Sequence, residues 1–410
     1  HQGRARPAGD GERMKAVVAI NSGSSSIKFS LFTLDGRDGL TLSAGGKIEK
    51  IGIAPSLRAR SATGEILIER DWPDGAALSH ADLLADLFAW AGDHPLEGRD
   101  VIAIGHRVVH GGLDFVTPRL VDADLLDRLE TLCPLAPLHQ PHNLAAIRAI
   151  AKLKPDLPQV ACFDTAFHHD KPDVASRLAI PRKFHDQGIR RYGFHGLSYE
   201  YVAMRLAEID PALAAGRVVA AHLGNGASLC AMRDCRSVDT TMGFTALDGL
   251  VMGTRCGTID PGVILHFQLR MGMSAADVED MLYRQSGLLG VSGLSSDMRA
   301  LAASDAPEAE EAMALFAWRA ARETAALASS MGGLDGIVFT AGIGENDAAM
   351  RQRICARLAW LGVELDEQAN AAGAPLVSTP GSHVAVRVIP TDEERMIALH
   401  TLHVLGENPS

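Results

Sequence analysis

The sequence predicts an α/β protein of two domains, each built on the same duplicated unit. Three observations lead there. The chain has 410 residues, more than one hydrophobic core ordinarily serves. Strand-like runs alternate with amphipathic helical stretches along it. The order strand, glycine turn, strand occurs twice, about two hundred residues apart.

The first copy runs through Val17-Val18-Ala19-Ile20, turns at Asn21-Ser22-Gly23-Ser24-Ser25-Ser26 and resumes as Ile27-Lys28-Phe29-Ser30-Leu31-Phe32 with period-2 alternation, a hairpin with a hydroxyl-rich tip. The second runs through Val218-Val219-Ala220-Ala221, turns from His222 to Ser228 and continues as Leu229-Cys230-Ala231-Met232. In both, a glycine falls six positions after the first valine, at Gly23 and Gly224.

Helices fit between the hairpins. Ala81 to Trp90 aligns Leu83, Leu84, Leu87 and Phe88 on one face, and Asn143 is expected to cap a run to Leu153. A longer helix is expected from Ser304 and Pro307, with Met313, Phe316, Ala320 and Leu327 in its stripe and Gly332-Gly333 as its stop. Two further strand-like runs end in turns: Ile337 to Thr340 before a glycine turn at Ala341 to Asn346, and Val386 to Pro390 before Thr391 to Glu394. His1 to Arg13 is polar and aperiodic and reads as a disordered leader or expression remnant.

Apolar residues at 47%, charged residues at 22% and 40 glycines describe a folded, turn-rich, enzyme-like chain and exclude disorder. The net charge of −11 argues against nucleic acid or an anionic membrane as partner, so any phosphate-binding surface must be local. Cys133, Cys162, Cys230, Cys235, Cys256 and Cys355 have no metal-ligand spacing and read as reduced thiols, which with the absence of a run of ~20 apolar residues predicts a cytoplasmic protein.

Four stretches carry chemistry. The serine-rich tip with Lys28 makes an anion cradle or a plain turn, and it is not a Walker loop because GxxxxGK[ST] is absent. Arg107 in Gly105 to Gly112 and Arg255 in Met252 to Gly257 are arginines in glycine settings, suited to carboxylate or phosphate or, equally, to a structural ion pair. Histidines recur at His139, at His168-His169 after Asp164, and at His195. Metal hydrolase and Ser/His/Asp hydrolase readings both fail for want of HExxH and GxSxG. His142, His168 and His169 read as solvated or core histidines, whereas His195, flanked by Phe194 and glycines, is balanced between core and function.

Together, Asn21 to Lys28, Gly105 to Gly112, Phe163 to His168, Arg191 to Gly196, His222 to Ser228, Ser286 to Gly290, Gly342 to Asn346 and Thr391 to Glu394 resemble the acetate kinase family, in order and over nearly the whole chain from Met14. The resemblance implies two RNase-H-like domains of the actin-like ATPase kind around a central cleft. One comprises 14–163 plus 395–410; the other, 164–394, binds nucleotide and dimerises. It implies reversible in-line transfer of the ATP γ-phosphoryl to acetate, giving acetyl phosphate and ADP, with Mg²⁺ or Mn²⁺ as its substitute, on a route to acetyl-CoA, in a homodimer without nucleic-acid or membrane partners.

By the same resemblance Arg107, Arg255, His195, His139 and Asp164 are catalytic, with Asp164 orienting Arg107 or the metal's water shell. Asn21 and Glu393 hold the metal. Lys28, Ser24 and Ser26 line the first phosphate hairpin, and His222, Leu223, Gly224, Asn225 and Gly226 the second. Asp297, Met298 and Arg299, with Gly342, Ile343, Gly344, Glu345 and Asn346, surround adenine and ribose. Arg107, Val109, Leu138, Phe194 and Ala246 receive the acid. The chain departs from the family where Ala246 replaces a proline and Gln140 replaces an asparagine. Room at Ala246 makes a propionate or butyrate kinase the alternative, since one methylene discriminates by only ~1–3 kcal/mol. A nucleotide-driven interaction protein is a rival of another class, against which the acid-binding arginines and His195 argue.

Overall fold

A computed structural model describes residues 14–35, 39–93 and 99–407; the expected leader at 1–13 lies outside them. The chain divides into two compact units, one of residues up to Gly111, Thr117–Phe163 and Glu393 onward, the other of Gly112–Val116 and Asp164–Asp392.

In the first unit, Met14–Ser22 (β1) and Ile27–Asp35 (β2) form the expected antiparallel hairpin, with Asn21 facing Lys28. Gly39–Glu49 (β3), Ser56–Ser61 (β4) and Ile66–Asp71 (β5) extend it antiparallel. Arg99–Val108 (β6) lies parallel to β1. Arg119–Leu120 (β7) closes the other edge antiparallel to Gln159–Phe163 (β8), itself parallel to β6. The order is β5-β4-β3-β2-β1-β6-β8-β7.

Helices His80–Asp93 and Gln140–Leu153 pack together and bury Leu83, Leu84, Leu87 and Ile150 against Ile20, Phe29 and Ile104. Each buried aliphatic side chain contributes about 2 kcal/mol. Strand residues alternate between faces, so the neighbour of Ile104, Gly105, meets the helix Glu393–Leu405 on the opposite face. A Cβ at Gly105 would lie 2.2 Å from Thr401 Oγ1 and 2.5 Å from the Ile397 side chain. Only glycine lets that helix approach so closely.

In the second unit Arg217–Leu223 (β9), Ala227–Arg233 (β10) and Arg236–Thr240 (β11) are antiparallel. Gly336–Thr340 (β12) and Ala385–Val388 (β13) join parallel to β9 and to each other. The order β11-β10-β9-β12-β13 repeats β3-β2-β1-β6-β8 with the same directions. This is the duplication that the two hairpins predict, and it agrees with the RNase-H-like pair that the resemblance implies.

Helix Gly196–Ile209 buries Tyr199, Val202 and Leu206 with Val218, Cys230 and Val338. The long helix spans Pro307–Met331, opened by proline in its first turn and stopped by Gly332 at φ +73°, the left-handed backbone glycine favours. Helix Pro261–Leu269 buries none of its residues, and Leu265, Leu269 and the following Met271 are exposed. Among the described residues no helix is long and apolar enough to cross a membrane.

Two local expectations are corrected. Asn143 does not cap its helix: the helix starts at Gln140, one residue before Pro141, with His139 at the cap position, and Asn143 is drawn inward by backbone partners. Residues 341–346 form a short helix and not an open glycine turn, because the Glu345 carboxylate accepts from the Ala341 amide at 2.8 Å. The six cysteines are free thiols; the Cys230 thiol donates a hydrogen bond to Ser237 Oγ while Cys235 donates to the Ala203 and Ala214 carbonyls.

Candidate active site

In both units the candidate residues gather where parallel strands end, the usual place for ligands in α/β sheets. In the first unit the β1–β2 tip is closed by Gly23 N donating to Ser26 O at 2.8 Å, leaving Ser24 exposed and Ser26 half-buried. His80 Nε2 donates to Gly23 O at 2.7 Å while its ring stacks on His142, bracing the tip. Lys28 is exposed and lines a groove with Glu394, the neighbour of Glu393 at the start of the last helix. Arg107, near the end of β6, donates to Asn21 Oδ1 at 3.2 Å.

Asn143 ties the two strand ends together: its Nδ2 donates to Ser22 O at 2.6 Å and its Oδ1 accepts from Val109 N at 3.0 Å. Gln140 does the same one residue on, accepting from His110 N and donating to His110 O, both at 3.0 Å. The glutamine that departs from the family is therefore a buried two-point clamp on the backbone beside Val109. His110 is buried, and desolvation pushes its imidazole down to about 4, so it is neutral at pH 7. Val109 is buried, and Leu138 and His139 are half-buried just before the clamp.

In the second unit, the loop Tyr192 to Gly196 presents His195 from a left-handed backbone, φ +57°. Such a conformation is costly for a non-glycine residue and persists only where the surroundings enforce it. They do. Gly196 N donates to the carbonyl of the buried Asp164 at 3.0 Å, and a Cβ on Gly196 would lie 2.1 Å from that oxygen. His168 bonds Phe194 O at 2.9 Å and Ser237 Oγ at 2.7 Å, and burial pushes it down to about 3. It is a core histidine, as expected, and its task is to hold the loop. His169 is exposed beside Asp170. Buried Lys171 donates to the carbonyls of His168, Arg191 and Tyr192, with desolvation pushing its ammonium down to about 8.

His195 Nδ1 lies 2.8 Å from Ser228 Oγ, and its ring stacks on His222 at 4.1 Å. Asn225 O accepts from Gly253 N at 3.0 Å, docking the Arg255 loop onto the second glycine turn. A Cβ at Gly226 would meet Arg255 Nη2 at 2.7 Å and His195 Nε2 at 3.3 Å, so guanidinium and imidazole converge on the bare backbone of that turn. Arg255 Nη1 donates to Ala246 O at 2.7 Å, bringing the departing Ala246 to the same place. Arg191 braces this segment by pairing with Asp248 at 2.8 Å and bonding the Thr240 and Thr241 carbonyls.

The remaining candidates divide. Asp297 caps the helix Met298–Ala302 and pairs with exposed Arg299, next to Ser296, whose carbonyl faces Gly253. Glu345 spends Oε1 on the backbone amides of Ala341 and Thr391, so its carboxylate shapes the Gly342 to Asn346 segment from within. Buried Arg351 bonds the Gly344 and Glu345 carbonyls and Asn370, a support the sequence did not disclose. Only its place in an otherwise weakly amphipathic helix could have signalled it. An apolar cavity of about 800 Å³ lies elsewhere in the first unit, between the sheet and helix His80–Asp93, and none of these residues lines it.

The Acetokinase family model matches residues 16–399. The chain belongs to the acetokinase family. It is 53% identical over 390 residues to the acetate kinase of Rhodopseudomonas palustris, covering 94% of this chain and 97% of that one. With the acetate kinase of Rhizobium meliloti it shares 50% over 393 residues, 96% of this chain and 99% of the other. Solved structures of a propionate kinase and an acetate kinase match its fold. A propionate kinase from Francisella tularensis has a TM-score of 0.86 at 39% identity, covering 94% of this chain and 99% of its own. Porphyromonas gingivalis acetate kinase has 0.83 at 36%, covering 95% and 100%.

Proposed function

We propose that this chain is an acetate kinase that transfers the γ-phosphoryl of ATP to acetate, reversibly. The observation that carries the reading is the convergence of Arg255 and His195 on Gly226, in a chain half identical to acetate kinases over nearly its full length.

The chemistry follows from charge. Acetate is ionised at neutral pH, so no base is required. A carboxylate oxygen bonds to the γ-phosphorus, the bond to the bridging oxygen breaks, and its electron pair leaves on ADP; no proton is gained or lost. The barrier is the meeting of two anions and the charge spread over the phosphoryl oxygens. Arg107 and Arg255 offset that charge, the His195 N–H donates to a phosphoryl oxygen, and His139 adds a second imidazole. Asp164 orients Arg107 or the water shell of the metal. Lys28, Ser24, Ser26 and the amides of Gly224 to Gly226 hold the phosphates, and Asp297 to Arg299 with Gly342 to Asn346 border adenine and ribose.

Among the described residues no three His, Cys, Asp or Glu side chains gather as a metal cage. That suits Mg²⁺, which takes one or two protein oxygens plus phosphates and water. Asn21 offers an amide oxygen at the end of β1, and Glu393 a carboxylate at the start of the helix packed on that strand. When bound, the ion neutralises phosphate charge, and Mn²⁺ can take its place.

Arg107→Ala and Arg255→Ala should each lower turnover by about 100-fold or more, measured as acyl phosphate trapped as hydroxamate, with circular dichroism unchanged. Near-normal turnover in either variant removes that arginine from the mechanism. Propionate is the second reading, favoured by Ala246 in place of proline, with Val109, Leu138 and Phe194 as the other determinants of acid size. Higher kcat/KM for propionate or butyrate than for acetate would establish it.

We also propose a homodimer through the second unit, supported by the apolar helix Pro261–Leu269, which buries nothing in the isolated chain. Leu265→Glu with Leu269→Glu should yield monomers in sedimentation velocity; an unchanged dimer rules this face out. Six free thiols support a reducing, cytoplasmic location.

A further inference from the structure

Behind His195 Nδ1 stand two buried hydroxyls, those of Ser228 and Tyr199. Tyr199 is fully buried in the helix that follows His195. Its own hydrogen has one partner within reach, Ser228 Oγ at 2.5 Å. Burial also pushes the phenol well above 10, so that hydrogen stays in place. Ser228 is fully buried too, and its oxygen lies 2.8 Å from His195 Nδ1. Ser228 has a single hydrogen. Since it accepts from Tyr199, that hydrogen points to Nδ1.

We infer that Tyr199 and Ser228 are positioning residues that fix the tautomer of His195, making Nδ1 the acceptor and placing the proton on Nε2. The opposite tautomer would need Nδ1–H to donate to Ser228, Ser228 to donate to Tyr199, and the Tyr199 hydrogen to point at nothing. A buried hydroxyl without an acceptor is disfavoured. Nε2 is the nitrogen facing the Gly226 backbone and Arg255 Nη2. The relay therefore aims an N–H at the point where the guanidinium also converges.

Ring orientation is set separately. The His222 stack at 4.1 Å and 19° fixes the imidazole plane, and His222 is anchored through Nδ1 to Ser198 Oγ at 2.8 Å, which bonds Thr391 Oγ1 at 2.8 Å. The stack sets the plane while the Tyr199–Ser228 pair sets the proton.

This assignment rests on the reading of His195 as the group that donates to the phosphoryl oxygens. The decisive measurement is nitrogen-15 NMR of histidine-labelled full-length protein, in which ring couplings report which nitrogen carries the proton. Wild type should show the Nε2–H form for His195; an Nδ1–H form overturns the inference. Ser228→Ala should give a tautomer mixture and lower kcat roughly tenfold or more, with KM for ATP changed less than about twofold. Ser228→Thr, which keeps the hydroxyl, should restore both. Tyr199→Phe should also mix the tautomers, and serves if Ser228→Ala fails to fold. Retention of the pure Nε2–H form and full kcat in Ser228→Ala overturns the relay. His195→Ala with normal turnover would instead remove His195 from the mechanism, a failure distinct from the tautomer result.

Discussion

Three buried imidazoles make the fold acid-labile, and the size of the effect can be worked from their surroundings. His106 is buried against Gln159 at 2.7 Å, and desolvation pushes it down to about 4, as it does His110. His168 is pushed down to about 3. In the unfolded chain each ring protonates below about pH 6.5. Between that pH and the folded values the unfolded state binds more protons, so stability is fully present above 6.5 and is lost as pH falls. Each ring contributes a slope of about 1.4 kcal/mol per pH unit, or about 2 kcal/mol between pH 7 and pH 5. The first unit thus loses about 4 kcal/mol and the second about 2, against a total of roughly 5–15 for a typical domain. Urea unfolding followed by circular dichroism at the two pH values measures the loss. His106→Gln, which can still donate to Gln159 but cannot titrate, should flatten the dependence by about 2 kcal/mol. Parallel pH curves for wild type and His106→Gln would show that burial of His106 does not set the dependence, whatever the variant's absolute stability.

Two further outcomes follow from close approaches. Gly226→Ala should displace Arg255 and His195 and lower kcat by about 100-fold with little change in melting temperature, because the crowded atoms are side-chain ends and an ångström of misplacement suffices; a variant with wild-type kcat would place the reacting phosphoryl elsewhere. Arg351→Met should destabilise the second unit by about 3 kcal/mol by leaving the Gly344, Glu345 and Asn370 oxygens without their donor, and unchanged thermal unfolding would show that those oxygens find other partners.

The hairpins were legible because β-branched alternation and a glycine turn are local signals, and they carried the duplication with them. The long helix was legible for the same reason, bracketed by Pro307 and Gly332. Asn143 was misread because its type suits a helix cap, whereas its partners, Ser22 and Val109, are brought to it only by the sheet. The resemblance named His195 and Arg255, but their convergence on Gly226 depends on loops far apart in sequence. The supporting roles of Ser228, Tyr199, Lys171 and Arg351 were missed: each acts through backbone or side-chain partners that no spacing rule connects. Polar residues buried in supporting roles look like ordinary core or surface residues until the chain is folded.

Lys171 grips only main-chain oxygens, those of His168, Arg191 and Tyr192. Its hold depends on the path of the chain and is indifferent to which side chains those residues carry. The loop that presents the histidine can therefore accumulate substitutions without loosening this tether. A single inserted or deleted residue between 171 and 191 would move the carbonyls out of reach, so variation there is free in kind but fixed in length.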